Sequence, residues 1–303
     1  MKKLYGVTVA MTTPFKNNGE IDVAALEQLT EILLKKGVNC LYPCGTTGEM
    51  VHLSVEERML VAETVIRTAK DKGTVFIHCG AVKQEETETL LKHAVEIGAD
   101  GAGVVTPIFL GVNQNEIIQY YERLSALVPE DFPIYLYNIP QCAGNDILPE
   151  SARKLHGECP NLRGIKYSYP DMMRTLEYLD IPEFSVLHGS DKLFSSLLVM
   201  GCDGTVSGVA SVFPEPFVEV YKAWLAQDLQ KMKEWQKICV RFCDILKCGT
   251  NMSYFKEALT FRGVDMGGMR LPQRNISEEE KAELKKRLEE ECRKSGITLK
   301  VVE

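Results

Sequence analysis

Three short stretches of this chain carry residues able to do carbonyl chemistry. Gly164-Ile165-Lys166 places a lysine at the close of an apolar, strand-like run. An ammonium in apolar surroundings is unfavourable unless it is paired or loses its proton. Desolvation lowers the amine's pKa, and a neutral amine adds to a carbonyl carbon to give a Schiff base. The plainer alternative is a lysine reaching solvent at a rim. Gly45-Thr46-Thr47-Gly48-Glu49 frames two hydroxyls with two glycines. Such a loop can turn its N–H groups into a nest for a carboxylate, or it can be a simple turn. Tyr137-Asn138-Ile139-Pro140 offers a phenol that can relay protons if its ordinary pKa of about 10 is tuned. Taken alone, Tyr137 reads more simply as a packed ring with its hydroxyl on water. Further on, the glycines of His188-Gly189-Ser190-Asp191 and Val206-Ser207-Gly208 would let a substrate approach the backbone. Asp191 either accepts hydrogen bonds from substrate hydroxyls or caps the next helix.

The elements that must hold these residues alternate regularly. Val7–Met11, Cys40–Tyr42, Val75–Cys79, Gly103–Thr106, Ile134–Tyr137, Gly164–Lys166, Val186–His188 and Thr205–Ser207 read as strands. Several are apolar on both parities, as parallel strands covered on both faces are. Amphipathic helices fill the gaps: Val23–Lys36 capped by Asp22, the segment from the Ser54/Glu57 capping box to Lys70, Gln84–Ile97, Gln114–Leu127, Pro149–Leu155, Pro170–Leu179, Lys192–Met200 and Glu215–Ala226. Eight βα units specify an α/β fold, a (β/α)8 TIM barrel, whose functional groups sit at the C-terminal ends of the strands. A doubly wound dinucleotide-binding sheet is the competitor, but no G-x-G-x-x-G follows the first strand. After residue 226 the strand signal stops. Asp228–Lys247, Met252–Arg262 and Ser277–Ser295 read as a helical extension, giving a barrel over 1–225 and an extension over 226–303. The charge-rich last helix reads as a solvated face.

Composition is that of a globular protein: 303 residues, 45% hydrophobic and 25% charged. A single α/β barrel of about 250 residues accounts for most of that length. A net charge of −7 argues against nucleic acid as partner, though local donors can still bind an anion. The N-terminal run from Met1 to Gly6 lacks the apolar core of a signal peptide, and no stretch approaches the ~20 apolar residues of a membrane span. The ten cysteines are scattered, as reduced thiols in a cytoplasmic protein would be. Cys239, Cys243 and Cys248 form the densest group. Without a CxxC pair or a nearby His they read as small buried apolar side chains rather than as a metal site.

Gly45-Thr46-Thr47-Gly48-Glu49, Tyr137-Asn138-Ile139-Pro140 and Gly164-Ile165-Lys166, in this order, resemble the dihydrodipicolinate synthase / N-acetylneuraminate lyase family. Thr12-Pro14-Phe15, Val105-Thr106-Pro107 and Gly201-x-Asp203-Gly204 extend the likeness over essentially the whole chain. The resemblance implies a class I pyruvate aldolase or lyase. Lys166 would form an imine with pyruvate or with the 2-keto acid being cleaved. Thr46 and Thr47 would hold the carboxylate, and Tyr137 would shuttle protons. Catalytic roles thus fall to Lys166, Tyr137 and Thr46. Substrate contacts fall to Thr46, Thr47, Gly48, Cys142, Ser168, Gly189, Asp191, Lys192 and Val206. No metal and no cofactor beyond the lysine is implied, and the assembly would be a homotetramer, a dimer of dimers.

The chain also departs from that pattern. Synthases carry a Tyr after the fourth-strand Thr-Pro that reaches a neighbouring subunit, where this chain has Ile108-Phe109-Leu110. They place an Arg for the carboxylate of aspartate semialdehyde where this chain has Cys142, which cannot make a bidentate charged contact. Ser168, Asp191 and Lys192 stand where sialic-acid lyases contact a polyol tail. Those lyases usually have an acid at the position of Lys192 and a Ser at that of Gly208. A Lys there either fits a distal carboxylate or faces solvent. The reading is cleavage of N-acetylneuraminate or a 2-keto-3-deoxy sugar acid to pyruvate and an aldehyde, or the reverse. The rivals are dihydrodipicolinate synthesis and a non-catalytic 2-keto-acid-binding relative, the latter disfavoured by retention of Thr46, Thr47, Tyr137 and Lys166 together.

Overall fold

The computed structural model describes residues 2–301. Met1, at the head of the N-terminal run, and Val302 and Glu303, at the end of the extension, lie outside the described residues. Eight strands close into one parallel barrel in sequence order: β1 (Gly6–Ala10), β2 (Cys40–Tyr42), β3 (Thr74–His78), β4 (Gly101–Val105), β5 (Ile134–Asn138), β6 (Leu162–Tyr167), β7 (Ser185–His188) and β8 (Gly204–Ser207). β8 pairs with β1, Val206 opposite Thr8. The helices between them are α1 (Val23–Lys35), α2 (Val55–Ala69), α3 (Gln84–Glu96), α4 (Gln114–Ser125), the single turn α5 (Pro140–Ala143), α6 (Pro149–Glu158), α7 (Met172–Leu179), α8 (Phe194–Met200) and α9 (Pro214–Leu225). The (β/α)8 expectation holds, and every expected strand is present within a few residues at its ends.

The apolar character of both strand parities has a direct cause. One parity (Val7, Val9, Leu41, Val75, Ile77, Ala102, Val104, Ile165 and Val186) packs outward against the helices. The other (Cys40, Tyr42, Phe76, Tyr135, Leu187 and Val206) forms a separate core inside the barrel. Space inside is shared between large and small residues. Tyr42 fills the centre because β4 offers only Gly103 opposite it: a Cβ there would lie 1.9 Å from the Tyr42 hydroxyl.

Local capping fits the sequence. Asp22 accepts from Ala25 N, and Ser54/Glu57 form a complete capping box. Two expected boundaries move for identifiable reasons. Asp171 caps α7 by accepting from Arg174 N, so that helix opens at Met172 and not at Pro170. The expected helix from Lys192 begins as a 3-10 turn, Asp191–Leu193, before α8.

Beyond α9 the chain forms α10 (Leu229–Ile245), α11 (Met252–Phe261) and α12 (Glu278–Ser295), with a second capping box at Ser277/Glu280. Two arginines help tie these helices to the barrel. Arg262, 1% exposed, pairs with Glu215 of α9 at 2.5 Å and stacks over Phe213. Arg270 grips the Glu57 carboxylate and donates to the carbonyls of His52 and Gly19, both at 2.6 Å. Among the described residues no helix is long and apolar enough to cross a membrane.

Gly103→Ala tests the inner packing. The added methyl displaces a fully buried ring, so unfolding free energy should fall by about 1–3 kcal/mol, the usual penalty for overpacking. Urea midpoints measure this, and an unchanged midpoint would show that Tyr42 does not need that space.

Candidate active site

Lys166 leaves β6 on the inward parity, opposite Tyr137 on β5 and Leu187 on β7. It is 3% exposed. Its Nζ lies 3.8 Å from the centroid of the Tyr137 ring and 4.7 Å from that of Tyr42. These π faces favour a cation, but removal from water dominates. Burial pushes the Lys166 pKa down to about 7, with the Asp191 carboxylate opposing that shift. Asp191 is perturbed the other way. Burial pushes its pKa up to about 7, against the opposing influence of the nearby Ser207 hydroxyl, the Val209 amide and the positive charge of Lys166. Its Oδ2 accepts from Val209 N at 3.4 Å, and its Oδ1 is buried without a hydrogen-bond partner. Asp191 therefore does not cap α8 with its side chain. It is an acceptor with spare capacity.

The Tyr137 hydroxyl shares a hydrogen bond with Thr46 Oγ1 at 3.1 Å. Burial raises its pKa to about 12, so the phenol is neutral at ordinary pH. It can both donate and accept, which is what a proton shuttle needs. The packed-ring reading is half right: the ring is buried, but the hydroxyl is bonded to the threonine loop. Beneath it His78, edge-on to the Tyr137 ring, is kept neutral by burial and by the positive charge of Arg58.

A cavity of about 550 Å3 opens above these groups at the C-terminal ends of the strands. Of the residues singled out from sequence, Thr46, Thr47, Tyr137, Cys142, Lys166, Ser168, Gly189, Asp191 and Val206 line it together. Gly189 is needed for that shape, because a Cβ there would lie 2.3 Å from Ser168 Oγ. Two expected contacts fall outside the cavity wall. Gly48 is packed under its own loop, its carbonyl accepting from Thr13 Oγ1 at 2.8 Å. Lys192 turns away within the 3-10 turn and pairs with Asp244 of α10. A third correction concerns Cys248. Cys239 and Cys243 are buried in α10 as expected, but that helix ends at Ile245 and Cys248 is exposed in left-handed backbone on the cavity wall.

Sequence reasoning missed a whole side of the cavity. Gly249, Thr250, Met252, Phe255 and Gln273 reach it from the extension, and Gln141 joins them from α5, its amide donating to Ser168 O at 2.6 Å. Gln141 was signalled by its place beside Cys142. The residues of the extension carried no local signal.

With this geometry in view, the comparisons are specific. The model of the dihydrodipicolinate synthetase family matches residues 3–291. The chain belongs to that family. It is 35% identical to the 4-hydroxy-tetrahydrodipicolinate synthase of Syntrophus aciditrophicus, over 93% of this chain and 96% of that protein. It is 33% identical to the N-acetylneuraminate lyase of Rattus norvegicus, over 92% and 89%. The crystal structure of dihydrodipicolinate synthase from Aquifex aeolicus superposes with a TM-score of 0.90 at 32% identity, covering 95% of this chain and 98% of that one. As a member of the dihydrodipicolinate synthetase family, the chain is an enzyme of the lyase type, a class I pyruvate aldolase.

The site predicts a pH profile. The neutral fraction of Lys166 grows as pH rises through about 7, so the rate of borohydride trapping with pyruvate should rise through that pH and then level off. An unperturbed lysine would keep the rate climbing toward about pH 10. Asp191→Asn removes the group that favours the ammonium, so the inflection should move to lower pH. A shift upward would contradict the assigned pairing.

Proposed function

We propose that this enzyme cleaves a hydroxylated 2-keto-3-deoxy acid, of the N-acetylneuraminate or 2-keto-3-deoxy sugar acid class, to pyruvate and an aldehyde. One observation carries this reading. Among the described residues lining the cavity, Lys166 is the single cationic side chain, while Asp191, Gln141, Ser168, Thr250 and Gln273 provide neutral or acidic hydrogen-bonding groups. Such a wall suits a neutral polyol tail and offers no partner to a second carboxylate.

The chemistry follows from the residues. The neutral Lys166 amine adds to the C2 ketone, and the carbinolamine loses water to give the protonated imine. Thr46, Thr47 and their N–H groups hold the C1 carboxylate. Tyr137 gives its phenol proton to the hydroxide leaving the carbinolamine, and the resulting phenolate takes the proton of the C4 hydroxyl, directly or through Thr46, as the C3–C4 bond breaks. The bonding pair moves into the imine to form an enamine, and the aldehyde leaves. Protonation at C3 and hydrolysis then release pyruvate and regenerate the amine. Every electron pair is accommodated by the lysine imine, so no cofactor is required. Gly189 and Val206 shape the wall against the substrate, and Cys142 fills it without charge.

A second reading, condensation of pyruvate with aspartate semialdehyde, is favoured by the synthase named among the relatives. It lacks a cation for that substrate's carboxylate. We propose further that the enzyme assembles as the homotetramer that the resemblance implies. Its support is the exposed pair Phe109 and Leu110 near an apolar recess lined by Met50, Val51, Val105 and Ile108.

A panel of 2-keto-3-deoxy acids, N-acetylneuraminate among them, should yield pyruvate in a coupled assay, with aspartate semialdehyde a poor partner in the reverse direction. Efficient turnover of aspartate semialdehyde alone would select the second reading. Lys166→Ala should lower turnover on the order of 10^3-fold or more. Cys142→Ala should stay within about threefold of wild type, as expected where no charged contact is lost.

A further inference from the structure

Glu49 follows the two threonines directly, yet nothing in the chemistry above uses it. It adopts left-handed backbone, φ 59° and ψ 37°, which is unfavourable for a residue with a side chain. Its carboxylate is buried with the ammonium of Lys256 on α11. Each side chain is 2% exposed, and Lys256 Nζ lies 2.7 Å from Glu49 Oε1. A buried ion pair adds little net stability over apolar residues of similar volume, so stability alone does not account for it.

The surroundings show what the pair holds. Lys256 also donates to Gly268 O at 3.0 Å and lies over the Phe15 ring, 4.0 Å from its centroid. Arg270 stacks on the same ring at 4.3 Å, and His52 Nδ1 is 3.7 Å from Glu49 Oε2. Lys256, His52 and Arg270 are thus the positive or titratable groups around that carboxylate. On the other side, Glu49 N donates to Thr46 O at 3.0 Å, and Met50 N to Gly45 O at 3.3 Å. Any shift of Glu49 is passed to Thr46 through that bond. Phe255, the residue before Lys256, lines the cavity together with Thr47.

We propose that Glu49 is a positioning residue: its buried pair with Lys256 fixes the Thr46–Thr47 loop against α11 at the register that binds the substrate carboxylate. The proposal rests on the pyruvate chemistry given above and adds that the helical extension sets the affinity of the carboxylate site.

Three variants of the full-length chain test it: Glu49→Gln, Lys256→Met and the double variant. The readouts are the melting temperature, the pyruvate concentration that half-saturates borohydride trapping of Lys166, and the maximal trapping rate. Glu49→Gln should raise the half-saturating concentration about tenfold while lowering the maximal rate less than about threefold, as loss of a charge-assisted contact that acts on binding predicts. The double variant leaves no uncompensated buried charge, so its melting temperature should recover while its half-saturating concentration stays raised. If both single variants fail to fold, the double variant alone carries the test. A half-saturating concentration that stays at the wild-type value, or returns to it together with the melting temperature, would overturn the proposal. Absence of any pyruvate adduct on the wild-type enzyme would instead contradict the aldolase reading.

Discussion

The structure depends on keeping one amine dry. Lys166 has two aromatic faces within 5 Å and a single acid, Asp191, as its attractive partner. Water around that Nζ would return its pKa toward the ordinary value of about 10.4, and the nucleophile would be lost at neutral pH. Much of the barrel interior serves this requirement. Tyr42 occupies the centre because β4 leaves room at Gly103. Tyr137 covers the amine and turns its hydroxyl to Thr46. His78 beneath them stays neutral and adds no competing charge.

A dry amine still needs its substrate delivered at a fixed distance, and this is where the extension enters. The barrel supplies the nucleophile, the phenol and the threonine loop from strand ends, which a closed sheet holds rigidly. The far wall comes from the segment after α10, from α11 and from Gln273. Arg262, Arg270 and Lys256 each anchor that extension through a carboxylate on the barrel side. Two of those three contacts, to Glu49 and Glu57, lie on the stretch that carries the threonine loop and opens α2. α11 and the segments that flank it are therefore part of the site.

How much of this was legible in the sequence varied with the range of the interaction. Lys166 stood out because a cation closing an apolar strand is anomalous on local grounds. The threonine loop was legible because glycines framed it, and the barrel because strand and helix periods alternate eight times. Gly48 was misjudged because a residue inside a loop motif can face either the cavity or the strand ends beneath it, and Thr13 settles which. Lys192 was misjudged because a 3-10 turn replaced the expected start of a helix and sent the side chain toward Asp244. Cys248 was misjudged as buried because it was grouped with Cys239 and Cys243, whereas it lies past the end of α10 in left-handed backbone and is exposed on the cavity wall. Thr250, Phe255 and Gln273 reach the cavity through tertiary packing alone, which no local spacing encodes.

The central claim is that Lys166 is the nucleophile that bonds to pyruvate. Its most direct test is to reduce the enzyme with borohydride in the presence of isotopically labelled pyruvate and map the label by peptide mass spectrometry. The account predicts a single adduct, on the peptide containing Lys166, with the other lysines unlabelled. Label on a different lysine, or none at all under conditions where the enzyme turns over, would contradict it.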